Sequence, residues 1–260
     1  MGARTGTRWD GAEYDRVNAL QRWVADRSLA ELTLRGDERV LDVGCGDGRI
    51  SAEVADRVPR GSVLGLDPSP GMLEVARTRE TRNLRFAEGA VETMQYAGDF
   101  DAVLSFNALH WVHDHALALA RIRAALVDDG TSLLQLVCDG ERPSVEDVAL
   151  ATTADARWAA CFEGFAAPFH HTDPEVLSAL AAATGFDVVG ARVDDLLWDF
   201  GAAADLRRWC RAGFADWLAR LPDDDARDAF LLAVGSAYAG VVGSDHEVRF
   251  LQLRLHLRAA

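Results

Sequence analysis

Short apolar runs rich in valine and leucine recur through the first half of the chain. Helix-compatible segments separate most of them, at about 48–58, 70–80 and 115–127. Strands that are apolar at every position, rather than at every second one, are typical of a sheet covered on both faces. The pattern therefore predicts βαβ units with right-handed crossovers and a parallel sheet. The predicted strands are 39–43, 62–66, 83–87, 100–106 and 131–137.

The pattern changes after residue 138. It predicts a helix at about 174–184, a strand near 186–193 and a mainly helical stretch over 196–243. Before this change, the two aspartates and the glycine at 128–130 are expected to end the helix predicted at 115–127.

The last residues of the chain alternate strictly between apolar and polar side chains. Leucine takes every second position, and Gln252, Arg254, His256 and Arg258 take the positions between. This period of two predicts a strand with one buried face and one face in water, as in an antiparallel strand beside the parallel sheet.

Charge and composition exclude several classes of protein. The 260 residues include 27 basic and 41 acidic side chains, a net charge of −14, so no basic face for nucleic acid is expected. Apolar stretches are too short for a membrane span or a signal peptide. The four cysteines, which are far apart and form no CxxC pair, favour a reducing cytoplasm over disulfides or zinc.

The segment VLDVGCGDG at 40–48 carries the clearest signal for a ligand site. A buried strand holds Asp42, and Gly44 and Gly46 follow where a helix is about to begin. Glycines let the backbone turn tightly and approach a ligand, and a helix amino terminus offers unpaired N–H groups. The spacing GxGxG differs from the GxGxxG of nicotinamide-binding domains. The carboxylates of Asp42 and Asp47 would repel a pyrophosphate and suit an ammonium or sulfonium group.

The next strand ends at Asp67, followed by Pro68 and Ser69. A carboxylate at that edge can accept both hydroxyls of a ribose. Together with Asp42 and the glycine turn, Asp67 resembles the cofactor site of the class I S-adenosylmethionine-dependent methyltransferases, and the resemblance extends over about 11–137. The remaining alternative for this site is a Rossmann-like domain for another nucleotide, such as a nicotinamide dehydrogenase.

The resemblance implies S-adenosyl-L-methionine as the cofactor. The turn at 44–48 would hold its amino-acid end, Asp67 its ribose, and the segment after the third strand its adenine. Many members read Gly-Asp-Ala-Glu in that segment, whereas this chain reads Gly-Ala-Val-Glu at 89–92, so backbone or apolar contacts are expected there. The implied cofactor residues are Asp42, Gly44, Cys45, Gly46, Asp47, Asp67, Pro68, Ser69, Met72, Ala90, Val91, Phe106 and Asn107.

The same resemblance implies a Rossmann-like α/β fold with seven strands, mostly parallel, an antiparallel terminal strand and a helical cap. Residues 1–137 are expected to form the cofactor-binding core with an N-terminal helix. Residues 138–260 would supply the remainder of the sheet, with cap insertions at about 138–170 and 196–243.

A polar and aromatic cluster, SFNALHWVHDH, follows the fourth strand at 105–115. Parallel α/β sheets place their ligands at this edge. No acidic or cysteine pattern accompanies the three histidines, so no metal is expected. His113 and His115 are predicted to lie in solvent, with Asp114 near the start of the following helix.

His110 and Trp111, within ALHW, are candidates for binding the methyl acceptor. This segment resembles carboxyl methyltransferases of the juvenile-hormone-acid and salicylate types and, more loosely, trans-aconitate methyltransferase. In the first two types a glutamine near the amino terminus joins the tryptophan to hold the substrate carboxylate. Gln21 stands at the matching place in EYDRVNALQRW at 13–23. An indole N–H can hydrogen-bond a carboxylate while its ring excludes water.

The predicted activity is O-methylation of a small carboxylic acid by a cytoplasmic monomer or homodimer. A carboxylic acid is already ionised at neutral pH, so its oxygen needs no general base. The alternatives are methylation of a phenol, amine or carbon, with His110 as base, and a non-catalytic cofactor-binding protein. The cluster Arg207, Arg208 and Arg211 either grips a further acid group or forms a solvated helix face.

Overall fold

The computed structural model describes residues 19–260. The strands are Arg39–Val43 (β1), Ser62–Asp67 (β2), Leu84–Glu88 (β3), Phe100–Phe106 (β4), Leu126–Val137 (β5), Phe186–Asp199 (β6) and Glu247–Ala259 (β7). The helices are Ala19–Leu29 (α1), Arg49–Arg57 (α2), Pro70–Arg77 (α3), His115–Ala125 (α4), Val145–Thr152 (α5), Pro174–Ala183 (α6), Ala203–Gly213 (α7), Ala215–Leu218 (α8) and Asp224–Val242 (α9). Short 3₁₀ turns lie at Leu109–Trp111 and Ala159–Phe162.

The seven strands form one sheet in the order β3-β2-β1-β4-β5-β7-β6. Strand β1 pairs in parallel with β2 and β4, and β7 pairs antiparallel with β5. The prediction of a mostly parallel seven-stranded sheet with an antiparallel terminal strand is confirmed. Chain order reverses between β1 and β4, where α/β sheets form a crevice at the carboxyl ends of the strands.

The chain divides into two compact units. The first contains the described residues up to 139 together with 171–194 and 252–260, and the second contains 140–170 and 195–251. The second unit has an aromatic core of its own, in which Trp217 and Tyr238 are fully buried. The predicted role of its helices as a cap stays a prediction. In the described part of the chain, none of the helices combines the length and apolarity that crossing a bilayer requires.

Helix starts follow local capping chemistry. The Ser69 hydroxyl accepts the Met72 N–H (3.4 Å) before α3, and Asp114 accepts the Leu117 N–H (2.9 Å) before α4. Each cap satisfies a donor that the first turn of a helix leaves unpaired. The prediction that Asp114 lies near the start of this helix is therefore confirmed.

Two predicted boundaries are wrong. Helix α4 ends at Ala125, and residues 128–130 belong to β5 instead of ending a helix. There the register with β4 shifts, and Asp129 has a φ of 60°, so this segment is a bulge that sequence periodicity does not reveal. Strand β6 also continues to Asp199, and the helical stretch begins only at Ala203.

The predicted water-facing side of β7 is also wrong for two of its residues. Gln252 and Arg254 are only 1% and 3% exposed. Arg254 forms ion pairs with Asp194 on β6 (2.8 Å) and with Glu31, which follows α1 (2.5 Å). The hydrogen bond from Arg254 is the largest cause that lowers the pKa of Glu31. Polar residues occupy this face because they have partners there, not because it meets water.

Replacing Arg254 with methionine should destabilise the protein by about 1–3 kcal/mol, because it removes the buried guanidinium from Asp194. The largely buried carboxylate then keeps its ion pair with Arg192 (2.7 Å), whose side chain is more than half exposed. The matched control is Arg258→Met on the same strand. Its ion pair with Asp187 is about half exposed on both sides, so a loss of less than about 1 kcal/mol is expected. Urea unfolding followed by circular dichroism measures both, and equal losses would contradict the argument.

Candidate functional site

Two segments meet the crevice where the strand order reverses. The glycine turn at 44–48 leaves the carboxyl end of β1, and residues 107–111 leave the carboxyl end of β4. Because β1 and β4 are hydrogen-bonded neighbours, both segments begin at the same edge of the sheet. The candidate site therefore contains both sequence motifs.

The glycine turn is fixed by backbone conformation and by close packing. Gly44, Gly46 and Gly48 have φ values of 72°, 55° and 77°, a region that L side chains rarely adopt. A Cβ at Gly44 would lie 2.2 Å from the Cβ of Ala108, and one at Gly48 would lie 2.5 Å from Phe86. At Gly46, no atom of the described residues would lie within 4 Å of such a Cβ. Close packing thus explains why glycine is required at positions 44 and 48. At Gly46 the space beside the backbone is open, so a ligand could approach it.

Asp67 joins this turn to the start of α3. One carboxylate oxygen accepts the Gly46 N–H (2.9 Å) and the other accepts the Ser69 N–H (2.8 Å). Burial raises the pKa of Asp67 despite these two bonds. Each oxygen retains a further lone pair, so the oriented carboxylate can still accept hydroxyl groups.

Asp42 lies in β1 and is 1% exposed. It accepts the Ser51 hydroxyl from α2 (2.5 Å). Burial is the largest cause that raises its pKa to about 7; the Ser51 hydrogen bond lowers this pKa, and the negative charges of Asp67 and Asp47 contribute to raising it. The Asp42 carboxyl group is thus buried and has a hydrogen-bond partner within the protein.

Asp47 is engaged by protein groups that sequence reasoning missed. One oxygen accepts the Arg49 N–H (3.1 Å), and the other forms an ion pair with Arg79 (3.5 Å). Arg79 also donates from Nε to the carbonyl of Asp47 (2.9 Å). Arg79 therefore offsets part of the negative charge that the sequence assigned to this turn.

The remaining predicted cofactor residues differ in accessibility. Cys45, Ser69, Met72, Val91 and Phe106 are buried, Pro68 is exposed, and Ala90 is partly exposed. The Ala90 carbonyl accepts the N–H groups of Thr93 and Met94 (3.1 and 3.0 Å), so the local turn uses it.

Taken together, the residues around the turn fit a ligand with a cationic amino-acid end and a ribose. The open backbone side of Gly46 gives such a ligand access, and Asp42 and Asp67 supply buried carboxyl groups whose pKa values are raised chiefly by burial. A cation placed nearby would favour their ionised forms.

Asn107 opens the second segment with a φ of 55°, which is uncommon outside glycine. Its N–H donates to the carbonyl of Gln135 (2.8 Å), and its side-chain oxygen accepts the amide of Gln252 (3.1 Å). Sequence reasoning named Asn107 but missed both glutamines. The hydrogen bond between the buried Gln252 amide and Asn107 depends on β7 pairing with β5, and the sequence alone does not show this pairing.

His110 is 5% exposed, and its ring lies 5.3 Å from that of Trp111 and 6.1 Å from that of His171. Its Nδ1 accepts the N–H of Val137 (3.4 Å). Burial holds the pKa of His110 well below its ordinary value, and His171 and His115 lower it further. The ring is therefore neutral with its proton on Nε2, where it is a hydrogen-bond donor.

The prediction that His115 lies in solvent is wrong. It is 3% exposed, with Nδ1 2.7 Å from the Thr172 hydroxyl and Nε2 2.9 Å from the carbonyl of Leu109. These contacts hold the 3₁₀ turn at Leu109–Trp111 against the start of α4, so they explain why His115 is buried. His113 is exposed, as predicted. Among residues 19–260, these histidines do not form a group with donor atoms close enough to share a metal ion.

Gln21 lies in α1, and its Oε1 is buried without a hydrogen-bond partner in the described part of the chain. Asp26 pairs with Arg49 in the first turn of α2 (3.0 Å), and Arg57 in the last turn donates to the carbonyl of Leu29. Helix α1 therefore runs in the same direction as α2, which starts at the glycine turn. The end of α1 that carries Gln21 points toward the site edge of the sheet, and its role there stays a prediction.

The arginine cluster on α7 has acidic partners of its own. Arg208 pairs with Asp205 (2.7 Å), and Arg211 pairs with Asp228. These contacts favour a solvated helix face over a grip on an additional acid group.

The raised pKa of Asp42 has a consequence for stability. In the unfolded chain the group ionises near its ordinary value of 3.8, whereas in the folded protein it keeps its proton until about pH 7. Its contribution to stability is therefore lost progressively as the pH rises from about 4 to 7. Asp42→Asn cannot ionise, so relative to wild type it should gain up to about 4 kcal/mol over this interval. Urea unfolding at four pH values measures the difference.

The control for this experiment is Asp128→Asn, at a fully exposed carboxylate. Because this side chain is fully exposed, the substitution should change stability by less than about 1 kcal/mol. A stability difference for Asp42→Asn that stays constant with pH would contradict the assignment of a buried, protonated carboxyl group.

Comparisons with known proteins agree on one family. Residues 40–130 match the family described as a methyltransferase domain. Trans-aconitate 2-methyltransferase of Variovorax paradoxus is 30% identical over 227 residues, which are 83% of each chain. The enzyme of that name from Deinococcus radiodurans is 33% identical over 52% of each chain, and malonyl-[acyl-carrier protein] O-methyltransferase of Geobacter sulfurreducens is 33% identical over 50%. For three of the curated trans-aconitate 2-methyltransferases, the matched segment of this chain spans only about half of the relative's length.

Solved structures show the same fold. An S-adenosylmethionine-dependent methyltransferase from Mesorhizobium loti aligns with a TM-score of 0.55 and 19% identity over 93% of this chain and 99% of its own. Phosphoethanolamine N-methyltransferase 2 of Haemonchus contortus, in complex with S-adenosyl-L-methionine, aligns with a TM-score of 0.63 and 16% identity over 96% and 57%. The family is shown by the matching relatives: the chain belongs to the class I S-adenosylmethionine-dependent methyltransferases, and not to the nicotinamide dehydrogenases, and its cofactor is S-adenosyl-L-methionine.

Proposed function

We propose that this protein methylates a carboxylate oxygen of a small organic acid and releases a methyl ester. The cofactor supplies an electrophilic methyl group on a positively charged sulfur. Two relatives support the choice of acceptor, since their names specify a 2-methyltransferase for trans-aconitate and an O-methyltransferase for a malonyl group. The observation that carries the proposal is the hydrogen bond from the Val137 N–H to Nδ1 of the buried His110 ring (3.4 Å).

His110 is arranged as a donor and not as a base. For Nε2 to accept a proton, the neutral ring would have to carry its proton on Nδ1, where the Val137 N–H already points. Burial opposes the alternative, a doubly protonated ring. A phenol, with a pKa near 10, needs a base before it attacks, whereas a carboxylate is ionised at neutral pH. The site therefore favours a carboxylate over the phenol, amine or carbon alternatives.

In this proposal the acceptor meets neutral donors. The Trp111 indole N–H, the His110 Nε2–H and the Gln21 amide would hold the carboxylate without a full positive charge, which leaves one oxygen nucleophilic. Holding that oxygen in line with the methyl group can contribute about 7–11 kcal/mol to lowering the barrier. Aromatic side chains such as Trp111 and Phe106 would exclude water from the reacting charges.

The cofactor would lie along the glycine turn. Its amino-acid end would contact the open backbone at Gly46, and Asp67 would accept the ribose hydroxyls with its remaining lone pairs. Ala90 and Val91 would border the adenine. The cytoplasmic location and a monomeric or homodimeric state stay predictions.

Replacing Gly46 with alanine tests the cofactor site. No described atom would clash with the new methyl group, so the protein should fold with a loss of about 1–2 kcal/mol from the strained φ alone. The methyl would occupy space needed by the cofactor, and titration calorimetry should show S-adenosyl-L-methionine binding at least tenfold more weakly.

The matched control is Gly98→Ala, which has a similar φ of 68° and equally open surroundings away from the turn. It should show the same modest loss of stability with unchanged binding. Normal binding to Gly46→Ala would contradict the assigned cofactor site.

The acceptor assignment can be tested with a panel of small acids, beginning with trans-aconitate, by measuring release of S-adenosylhomocysteine. At saturating cofactor, turnover of the best acid should stay level from pH 8 down to below pH 6, because no base must be deprotonated. Trp111→Phe and Gln21→Leu should each reduce kcat/KM about 10- to 100-fold, the loss expected for a hydrogen bond to a charged group, with cofactor affinity unchanged.

Gln95→Leu serves as the control for Gln21→Leu, because Gln95 is exposed. Turnover that declines with a histidine titration, or that both site variants leave intact, would exclude the carboxylate assignment. Cofactor binding without turnover of any acid, phenol or amine would indicate a binding protein.

A further inference from the structure

We propose that Gln252 and Asn107 form a positioning pair for methyl transfer. The hydrogen bond between them would hold residues 107–111, and with them His110 and Trp111, in register with the glycine turn. The proposal rests on the proposed function for the roles of His110 and Trp111. Neither Gln252 nor Asn107 needs to touch the acceptor.

Asn107 is held from two directions. Its backbone N–H donates to Gln135 on β5, and its side-chain oxygen accepts the amide of Gln252 on β7 (3.1 Å), 145 positions along the chain. The left-handed conformation at Asn107 turns the chain away from β4. This conformation is favourable for few residues other than glycine and asparagine, and only asparagine of these two also offers a side-chain acceptor.

One residue pair of the sheet anchors both ends of the segment. Val137 on β5 lies directly opposite Gln252 on β7. Gln252 holds Asn107 at the start of the segment, and the Val137 N–H holds His110 near its end. Movement of this pair would therefore shift the predicted acceptor groups together.

The segment is also pressed against the cofactor side of the site. Ala108, directly after Asn107, leaves no room for a Cβ at Gly44, to which it would come within 2.2 Å. The carbonyl of Ala108 accepts the backbone N–H of Trp111 (3.0 Å), and this bond closes the turn from which the indole side chain extends. A shift at Asn107 is thus transmitted to Ala108 and from there to Trp111.

The burial of Gln252 points to a role beyond stability. It is 1% exposed, and its Oε1 has no hydrogen-bond partner among the described residues. Burying an amide with an unmet hydrogen bond costs stability, and an apolar side chain would pack on this face without that cost. What the glutamine provides, and an apolar side chain would not, is the hydrogen bond to Asn107. Accurate placement of reacting groups justifies such a cost, since a displacement of about 1 Å can reduce the rate about 100-fold.

Three variants separate the hydrogen bond from its surroundings. Gln252→Met keeps the length of the side chain but lacks the donor. Asn107→Gly keeps the left-handed backbone but lacks the acceptor, and Asn107→Asp keeps an acceptor for Gln252. We expect the first two to reduce kcat about 10- to 100-fold. The Kd for S-adenosyl-L-methionine should stay within about twofold of wild type in Gln252→Met, which leaves the predicted cofactor residue Asn107 in place.

The combination of Gln252→Met and Asn107→Gly should lose no more activity than either change alone, because both remove one interaction. Asn107→Asp should restore most of the activity lost in Asn107→Gly. Gln95→Met, at the exposed glutamine, is the matched control and should behave as wild type. Additive losses in the double variant, or equal losses in Asn107→Asp and Asn107→Gly, would overturn the proposal.

A spectroscopic measurement tests the positioning without reference to activity. In protein labelled with 5-fluorotryptophan, the ¹⁹F resonance of Trp111 is assigned by its loss in Trp111→Phe. It should shift or broaden in Gln252→Met and Asn107→Gly, and not in Gln95→Met, while the resonances of the other tryptophans stay in place. An unmoved Trp111 resonance in both site variants would refute the positioning pair. If wild type methylates no acid, the proposed function fails, and this resonance still decides the positioning.

Discussion

The contact between Gly44 and Ala108 is the constraint on which the site depends. It joins the turn after β1 to the segment after β4 so closely that any side chain at position 44 would collide with Ala108. One segment belongs to the proposed cofactor half of the site and the other to the proposed acceptor half, so this contact fixes the distance between the two halves. The parallel pairing of β1 with β4 brings the two backbones together, and the glycine allows them to touch.

The protein buries three ionisable side chains whose charged forms water would stabilise. Asp42 and Asp67 have raised pKa values and His110 a lowered one, in each case chiefly because of burial. Such shifts disfavour the charged forms, and they reduce the stability of the protein without ligands. A cationic ligand would reverse this effect at the carboxylates while leaving the neutral histidine unchanged. The two halves of the site thus differ in the charge for which each is suited.

Local signals explain which features the sequence could predict. The five apolar strands, the glycine turn and Asp67 each depend on residues within a short window, and the structure places them as predicted. The buried state of Gln252, Arg254 and His115 was not predictable in this way. Each depends on a partner far along the chain, such as Asn107 for Gln252 or Thr172 for His115. In β7, the alternation of polar and apolar residues therefore predicts solvent exposure only for polar side chains that have no such buried partner.

The net charge of −14 does not by itself oppose binding of the proposed anionic acceptor. Long-range repulsion from exposed carboxylates is screened within about 8–10 Å at physiological ionic strength. Asp47 is paired with Arg79, and Asp42 is buried and accepts the Ser51 hydroxyl. In the proposed function, His110 and Trp111 would contribute neutral N–H groups, and a neutral donor binds an anion without needing a counter-charge. An acidic protein could therefore hold a carboxylate at a site where its own acids are paired or buried.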